Sequence, residues 1–308
     1  MALATLAVVL SCTAASTSQR VKASMALTDL EGTTFRQWSG DLGYDGHQIY
    51  RLMLASTGCP LIEVDVSGVK LSLMLDSGTA TGFVITSHAP AVPHRVEGRT
   101  EELNADGSHR GESSLIAIER MSVLGEIFNN MSGSLSDWRM FSSEPFNGTV
   151  GLDFFLDRRL TLDYRSGKVG VSTSPLPEKL DSKRYVYVDL TSPPKSQGHI
   201  LYAQSRVNGH DALVYFDTGY NVSFIDPRFA GGLERVVRPG GRFDAFRERV
   251  PLELAGHTFV LNELREDTIQ RGNGFELPVA LVLGSDVLSQ FIVTIDLRSQ
   301  RLILGVAK

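Results

Sequence analysis

The chain is poor in cysteine: of 308 residues only Cys12 and Cys59 carry a thiol. That excludes a disulfide framework and a four-cysteine zinc site. No apolar run reaches the roughly 18 residues a membrane-spanning helix needs. There is no basic block either, and with 30 Lys and Arg against 35 Asp and Glu the net charge is −5. A mildly acidic chain of this kind is unsuited to gripping nucleic-acid phosphates. The seven histidines form no His-x-x-x-His pair and scatter among predicted loops, so no metal is implied. A Gly-x-Ser-x-Gly elbow, a phosphate-binding loop and a dinucleotide fingerprint are all missing, and with them any sign of a cofactor. Long helical periodicity is absent as well.

What is present is an ordinary globular composition, 42% hydrophobic and 21% charged, which argues against disorder as the main state. Glycine is abundant, 29 residues, as expected of many turns between short strands. Residues 2–10, ALATLAVVL, are followed by the small residues SCTAAS. This pattern predicts a signal peptide over residues 1–16 and export to the periplasm or beyond, although its start carries no Lys or Arg. Lipid attachment at Cys12 and a buried first strand are the alternatives. Cys59, between Gly58 and Pro60, reads as a packing residue.

The main feature is a duplication. VSGVKLSLMLDSG, residues 66–78, matches VNGHDALVYFDTG, residues 207–219, and Gly68 precedes Asp76 by the same eight residues that separate Gly209 from Asp217. Downstream, VGLDFFL with LDYRS matches LGSDVL with IDLRS, and Gly151 to Asp163 spans twelve residues, as does Gly284 to Asp296. The halves run over residues 46–174 and 183–308, joined by a Pro- and Ser-rich linker at 175–182. Residues 17–45 have no counterpart and are expected to be a propeptide, an added edge strand or a flexible lead-in. Residues 61–66 alternate apolar and polar, and 71–75 and 212–216 are apolar runs ending at an Asp, as buried strands would. Ser67-Gly68 and Asn208-Gly209 are hairpin signals. One-turn helices are expected at 154–158 and 286–290, capped by Asp153 and Asp286. The fold class is therefore all-β, in two homologous halves.

Each half ends a buried strand with Asp, a hydroxyl residue and Gly. A carboxylate there needs hydrogen-bond donors, which the close backbone at Gly can supply. If the two turns meet about a pseudo-two-fold axis, Asp76 and Asp217 share one site. They then hold one proton between them and can act as general base and general acid on one water. The alternative is a pair of ordinary turn-capping carboxylates. Asp163 and Asp296, each in Asp-x-Arg-Ser, read as turn formers or Arg partners. Asn130, Asn147 and Asn221 begin glycosylation sequons that read as accidental.

On Leu75-Asp76-Ser77-Gly78-Thr79 and Phe216-Asp217-Thr218-Gly219, with the Gly151-Leu152-Asp153 and Leu283-Gly284-Ser285-Asp286 segments, the sequence resembles the pepsin/retropepsin superfamily of aspartic peptidases over residues 46–308. The resemblance implies two β-barrel-like lobes, a catalytic dyad of Asp76 and Asp217, and support from Ser77, Gly78, Thr79, Thr218 and Gly219. It also implies a polypeptide substrate in the cleft between lobes, no cofactor and no metal. Since one chain supplies both aspartates, a monomer is expected. The chain departs from pepsins in lacking a Tyr in the flap-like stretch 104–111 and in carrying Tyr220 where the first half has Thr79. Thr79 is expected to favour ionised Asp76, leaving the shared proton on Asp217. These departures keep open a second reading, a weak or inactive peptide-binding protein on the same fold. Loops 104–111 and 238–246 are the expected covers of the cleft.

Overall fold

The computed structural model describes residues 7–8, 23–26, 30–80, 82–103, 109–138, 146–191, 198–237, 245–269 and 275–308. It is mostly β, in three sheets. The first sheet has nine strands, eight lying between Met53 and Val150 and a ninth, Ala7–Val8, running parallel to Glu102 and Leu103 at its edge. The second has ten, nine between Leu201 and Leu283 with Ser24–Ala26 added on the outside.

The two sheets repeat one pairing scheme. Val69–Leu75 runs parallel to Gly148–Val150, with Leu75 opposite Val150; His210–Phe216 runs parallel to Val279–Leu283, with Phe216 opposite Leu283. Phe83–Thr86 then lies antiparallel to Gly148–Val150, as Phe224–Ile225 does to Val279–Leu283. The strand ahead of each Asp is a hairpin partner of Pro60–Val66 or Leu201–Val207. Both hairpins close through paired positive φ values, 51° and 92° at Ser67-Gly68 and 50° and 79° at Asn208-Gly209. Such mirror-image turns match the right-handed twist of the strands they join.

The third sheet draws three strands from each half, in the order Tyr185–Asp189, Arg301–Val306, Phe291–Asp296, Arg159–Asp163, Lys168–Ser172, Ile49–Arg51. At its centre Thr161 pairs with Thr294, their hydroxyls 2.8 Å apart. The apolar faces of all three sheets meet in one large core that includes Leu73, Leu75, Phe83, Phe216, Leu283 and Val293. Its burial is the main driving force for the arrangement.

The described part of the lead-in, residues 23–26 and 30–45, packs into the fold. Ser24–Ala26 pairs with His257–Asn262 as an edge strand. Phe35–Asp41 is a seven-residue helix that the sequence reading missed. Its signal was there: Thr34 and Gln37 form a capping box, with the Thr34 amide donating to Gln37 Oε1 at 2.9 Å. The helix buries Trp38 completely against Leu42, Tyr44 and Ile292. The Trp38 indole donates to Asp163 Oδ2 at 2.8 Å. Asp163 also accepts the Ser166 amide, and Asp296 pairs with Arg298, as turn residues do. Most of the expected export segment, including Cys12, and the stretches 104–108 and 238–244 lie outside the described residues. No described helix is long and apolar enough to cross a membrane, which leaves β-barrel insertion unaddressed.

Candidate active site

Both catalytic-type turns hang from the parallel strand pairs. The Asp76 amide donates to Val150 O and the Asp217 amide to Leu283 O, each at 2.9 Å. This fixes each Asp one residue past the end of its strand. Asp76 is 1% exposed and Asp217 fully buried.

The turns meet. Ser77 N donates to Thr218 Oγ1 at 2.9 Å, and Thr218 N donates to Ser77 Oγ at 3.0 Å. Each hydroxyl in turn donates across to the opposite strand end, Ser77 to Phe216 O at 3.0 Å and Thr218 to Leu75 O at 2.8 Å. Three buried polar groups from each side, an amide, a hydroxyl and a carbonyl, are thereby satisfied by the other side. The turns are close enough that a Cβ on Gly219 would lie 2.2 Å from Asp76 Oδ1. Only a residue without a side chain lets the two loops approach this far. Asp76 Oδ1 accepts the Gly78 amide at 2.7 Å and Asp217 Oδ1 accepts the Gly219 amide at 3.0 Å. Gly219 therefore touches both carboxylates, one through its amide and one through its α-carbon.

The surroundings of the two aspartates differ. Thr79 donates to Asp76 Oδ2 at 2.7 Å and shares a 2.7 Å hydroxyl contact with Thr149. In the second half Tyr220 and Val282 stand at these positions, within an apolar cluster with Tyr202, Tyr215 and Phe224. The matching cluster of the first half holds Cys59, Leu61, Met74, Val84, Trp138 and Phe146. Cys59 is buried there, and its thiol donates to Gly219 O at 3.5 Å. Behind the second turn the Ser285 hydroxyl donates to Thr218 O at 2.6 Å and lies 3.5 Å from the Tyr164 hydroxyl. Burial pushes the Tyr164 phenol well above its ordinary range, and the nearby Cys59 and Asp217 add to it.

Asp153 and Asp286 lie inside the short helices and are not their N-caps, contrary to the sequence reading, although Asp286 Oδ1 accepts the Val287 amide at 2.9 Å. Those helices, Leu152–Phe155 and Ser285–Leu288, start from Gly151 and Gly284. The carboxylates reach back instead to the segments just after the Asp76 and Asp217 turns. Asp153 Oδ2 accepts the Gly82 amide at 2.7 Å, and Asp286 Oδ2 accepts the Ser223 amide at 2.9 Å. Asp286 further accepts Ser223 Oγ at 2.6 Å and Ala23 N at 3.2 Å. Burial raises its pKa, with those donors opposing the shift. Thr149, Ser285, Asp153 and His199 were missed as members of the site, since their partners lie far away in sequence.

Glu102 lies buried near the end of the strand Arg95–Leu103. It accepts hydrogen bonds from the Ser113 and Ser136 hydroxyls and from the Trp138 indole. Among the described residues no group of three His, Cys, Asp or Glu is placed to hold a metal ion. The arrangement offers two buried carboxylates on interlocked turns, chemistry suited to moving one proton to and from a bound water. Neither a protein-family model nor a curated protein matches this chain.

Proposed function

We propose that the protein is an aspartic endopeptidase of the pepsin/retropepsin kind, with two homologous β-barrel-like lobes related by a pseudo-two-fold axis. The observation that carries this reading is the reciprocal Ser77–Thr218 exchange, which sets the Asp76 carboxylate against Gly219, two residues from Asp217. The repeated parallel strand pairs ahead of both aspartates support the two-lobed description. A polypeptide substrate would lie extended between the halves, held by strand-like backbone hydrogen bonds and alternating side-chain pockets.

Two adjacent carboxylates resist double ionisation, so the pair keeps one proton. The ionised member takes a proton from water as that water attacks the scissile carbonyl. The protonated member donates to the carbonyl oxygen, giving a tetrahedral gem-diol. On collapse the C–N bond breaks, the carboxyl that took the water's proton gives it to the leaving amine, and the other carboxylate takes a proton back from a diol hydroxyl, so the dyad is restored with no covalent acyl-enzyme. The Thr79 hydroxyl favours charge on Asp76, which places the resting proton on Asp217.

The test is cleavage of an unstructured protein between about pH 3 and 7, with and without a statine inhibitor. Asp76→Asn and Asp217→Asn should each lower turnover by about 10²- to 10⁴-fold, the range general acid–base groups supply. Statine binding without any cleavage by the wild type would instead identify a peptide-binding protein on this scaffold.

A further inference from the structure

The two carboxylates that tie down the ends of the catalytic turns are not equivalent. In the second half, Ser223 supplies both its amide and its hydroxyl to Asp286, and all these groups are buried. The corresponding residue of the first half is Gly82, which has only an amide to give Asp153 Oδ2. The other oxygen, Asp153 Oδ1, is taken by His199 Nδ1 at 2.6 Å, from the second half of the chain. This contact is half open to solvent, with side-chain exposures of 46% for His199 and 27% for Asp153. The backbone beside it is pressed close: Gly198 has φ +70°, and a Cβ there would lie 2.0 Å from Ala80 O. The segment 198–199 thus packs on the residues directly following the Asp76 turn. Among the described residues the charged group facing His199 is Asp153, while the 80–82 side brings the neutral Ala80 carbonyl and Gly82 amide.

We propose that His199 is a positioning residue that, when protonated, clamps the first catalytic turn through Asp153 and Gly82, so that the site is best ordered in acid. The catalytic part of this inference rests on the aspartic-peptidase reading; the clamp itself does not. The hydrogen bond to Asp153 raises the His199 pKa above its ordinary value. The raised value means that the stabilisation is complete below the unfolded-state pKa and is lost as pH rises through the folded one. Deprotonation removes the ion pair, and in the tautomer protonated at Nε2 it removes the donor to Asp153 as well. The second half, with a Ser hydroxyl in the same role, has no such titration in its donor.

The experiment follows two signals by NMR from about pH 5 to 9, where an imidazole titrates: the His199 ring, and hydrogen exchange of the Gly82 amide corrected for its intrinsic pH dependence. Peptide hydrolysis is measured in parallel, in wild type, His199→Lys, His199→Gln and Asp153→Asn. Gly82 exchange in the wild type should quicken several-fold as His199 loses its proton and the ion pair that holds Asp153 is lost. His199→Lys should stay slow throughout, His199→Gln and Asp153→Asn fast throughout, and kcat/KM should follow the same pattern. A flat wild-type profile, the same step in His199→Lys, or fast exchange in His199→Lys at all pH overturns the clamp. If the wild type cleaves nothing, the peptidase reading fails and the Gly82 signal alone decides the clamp.

Discussion

Ser77 and Thr218 each give the other an amide proton and each pass a hydroxyl proton to the strand behind the other, at distances of 2.8–3.0 Å. Removing either hydroxyl strands both an amide and a carbonyl at a buried position. At about 1–3 kcal/mol for each buried group left unsatisfied, Ser77→Ala and Thr218→Val should each cost about 2–6 kcal/mol. Thr218→Ser, which keeps the hydroxyl, should cost under about 1.5 kcal/mol. Urea unfolding measures both; equal losses for Thr218→Val and Thr218→Ser would show that the hydroxyl is not what matters.

At Gly219 the backbone meets the opposing carboxylate. Gly219→Ala places a methyl 2.2 Å from Asp76 Oδ1, so one of the two loops must shift. A displacement near 1 Å at reacting groups lowers rates by about 10²-fold. The variant should retain its circular dichroism spectrum and lose peptide hydrolysis by that factor or more. Wild-type turnover in Gly219→Ala would mean that the carboxylate is not held where catalysis needs it.

Thr79 donates to Asp76 and so favours its ionised form. Thr79→Ala removes that donor and should raise the pH at which Asp76 ionises, moving the acidic limb of the kcat/KM profile upward. Thr79→Ser should leave the limb where it is. Superimposable profiles for Thr79→Ala and wild type would count against the assignment of the resting proton to Asp217.

The edge strand Ser24–Ala26 covers the His257–Asn262 strand, and its neighbour Ala23 donates to buried Asp286. Cutting residues 1–29 should lower stability by about 0.5–1.5 kcal/mol for the one hydrogen bond lost from Asp286, and it bares an unpaired sheet edge prone to self-association. Thermal unfolding together with light scattering measures both. An unchanged melting temperature would return this segment to the status of a removable propeptide.

Asp286 itself has a pKa raised by burial. A native state that holds its proton more tightly than the unfolded chain loses stability as pH rises from the unfolded value through the folded one. Asp286→Asn should flatten that acid-side slope while lowering stability overall, because an amide group now faces amide donors. Chemical denaturation at several acidic pH values reads the slope; an unaltered slope would assign the pH dependence to other carboxylates.

The sequence by itself determined the strand content, the hairpin turns at Ser67-Gly68 and Asn208-Gly209, the duplication, and the placement of Asp76 and Asp217 at the ends of buried runs. These are local properties: alternation reports which face of a strand is buried, and Asn-Gly or Ser-Gly reports a positive φ. The Phe35–Asp41 helix was legible too, in the Thr34–Gln37 capping box, but seven residues are too few for periodicity to show. Only the tertiary structure decided that Gly219 lies against the Asp76 carboxylate, that Thr149 backs Thr79, and that Asp153 faces His199 and Gly82 instead of capping its own helix. Those contacts join residues 46 to 143 positions apart, Asp76 and Gly219 being the most distant of these pairs. Burial patterns say that a polar group must find a partner, but the partner's identity is fixed only when the sheets pack and bring distant turns within hydrogen-bonding range.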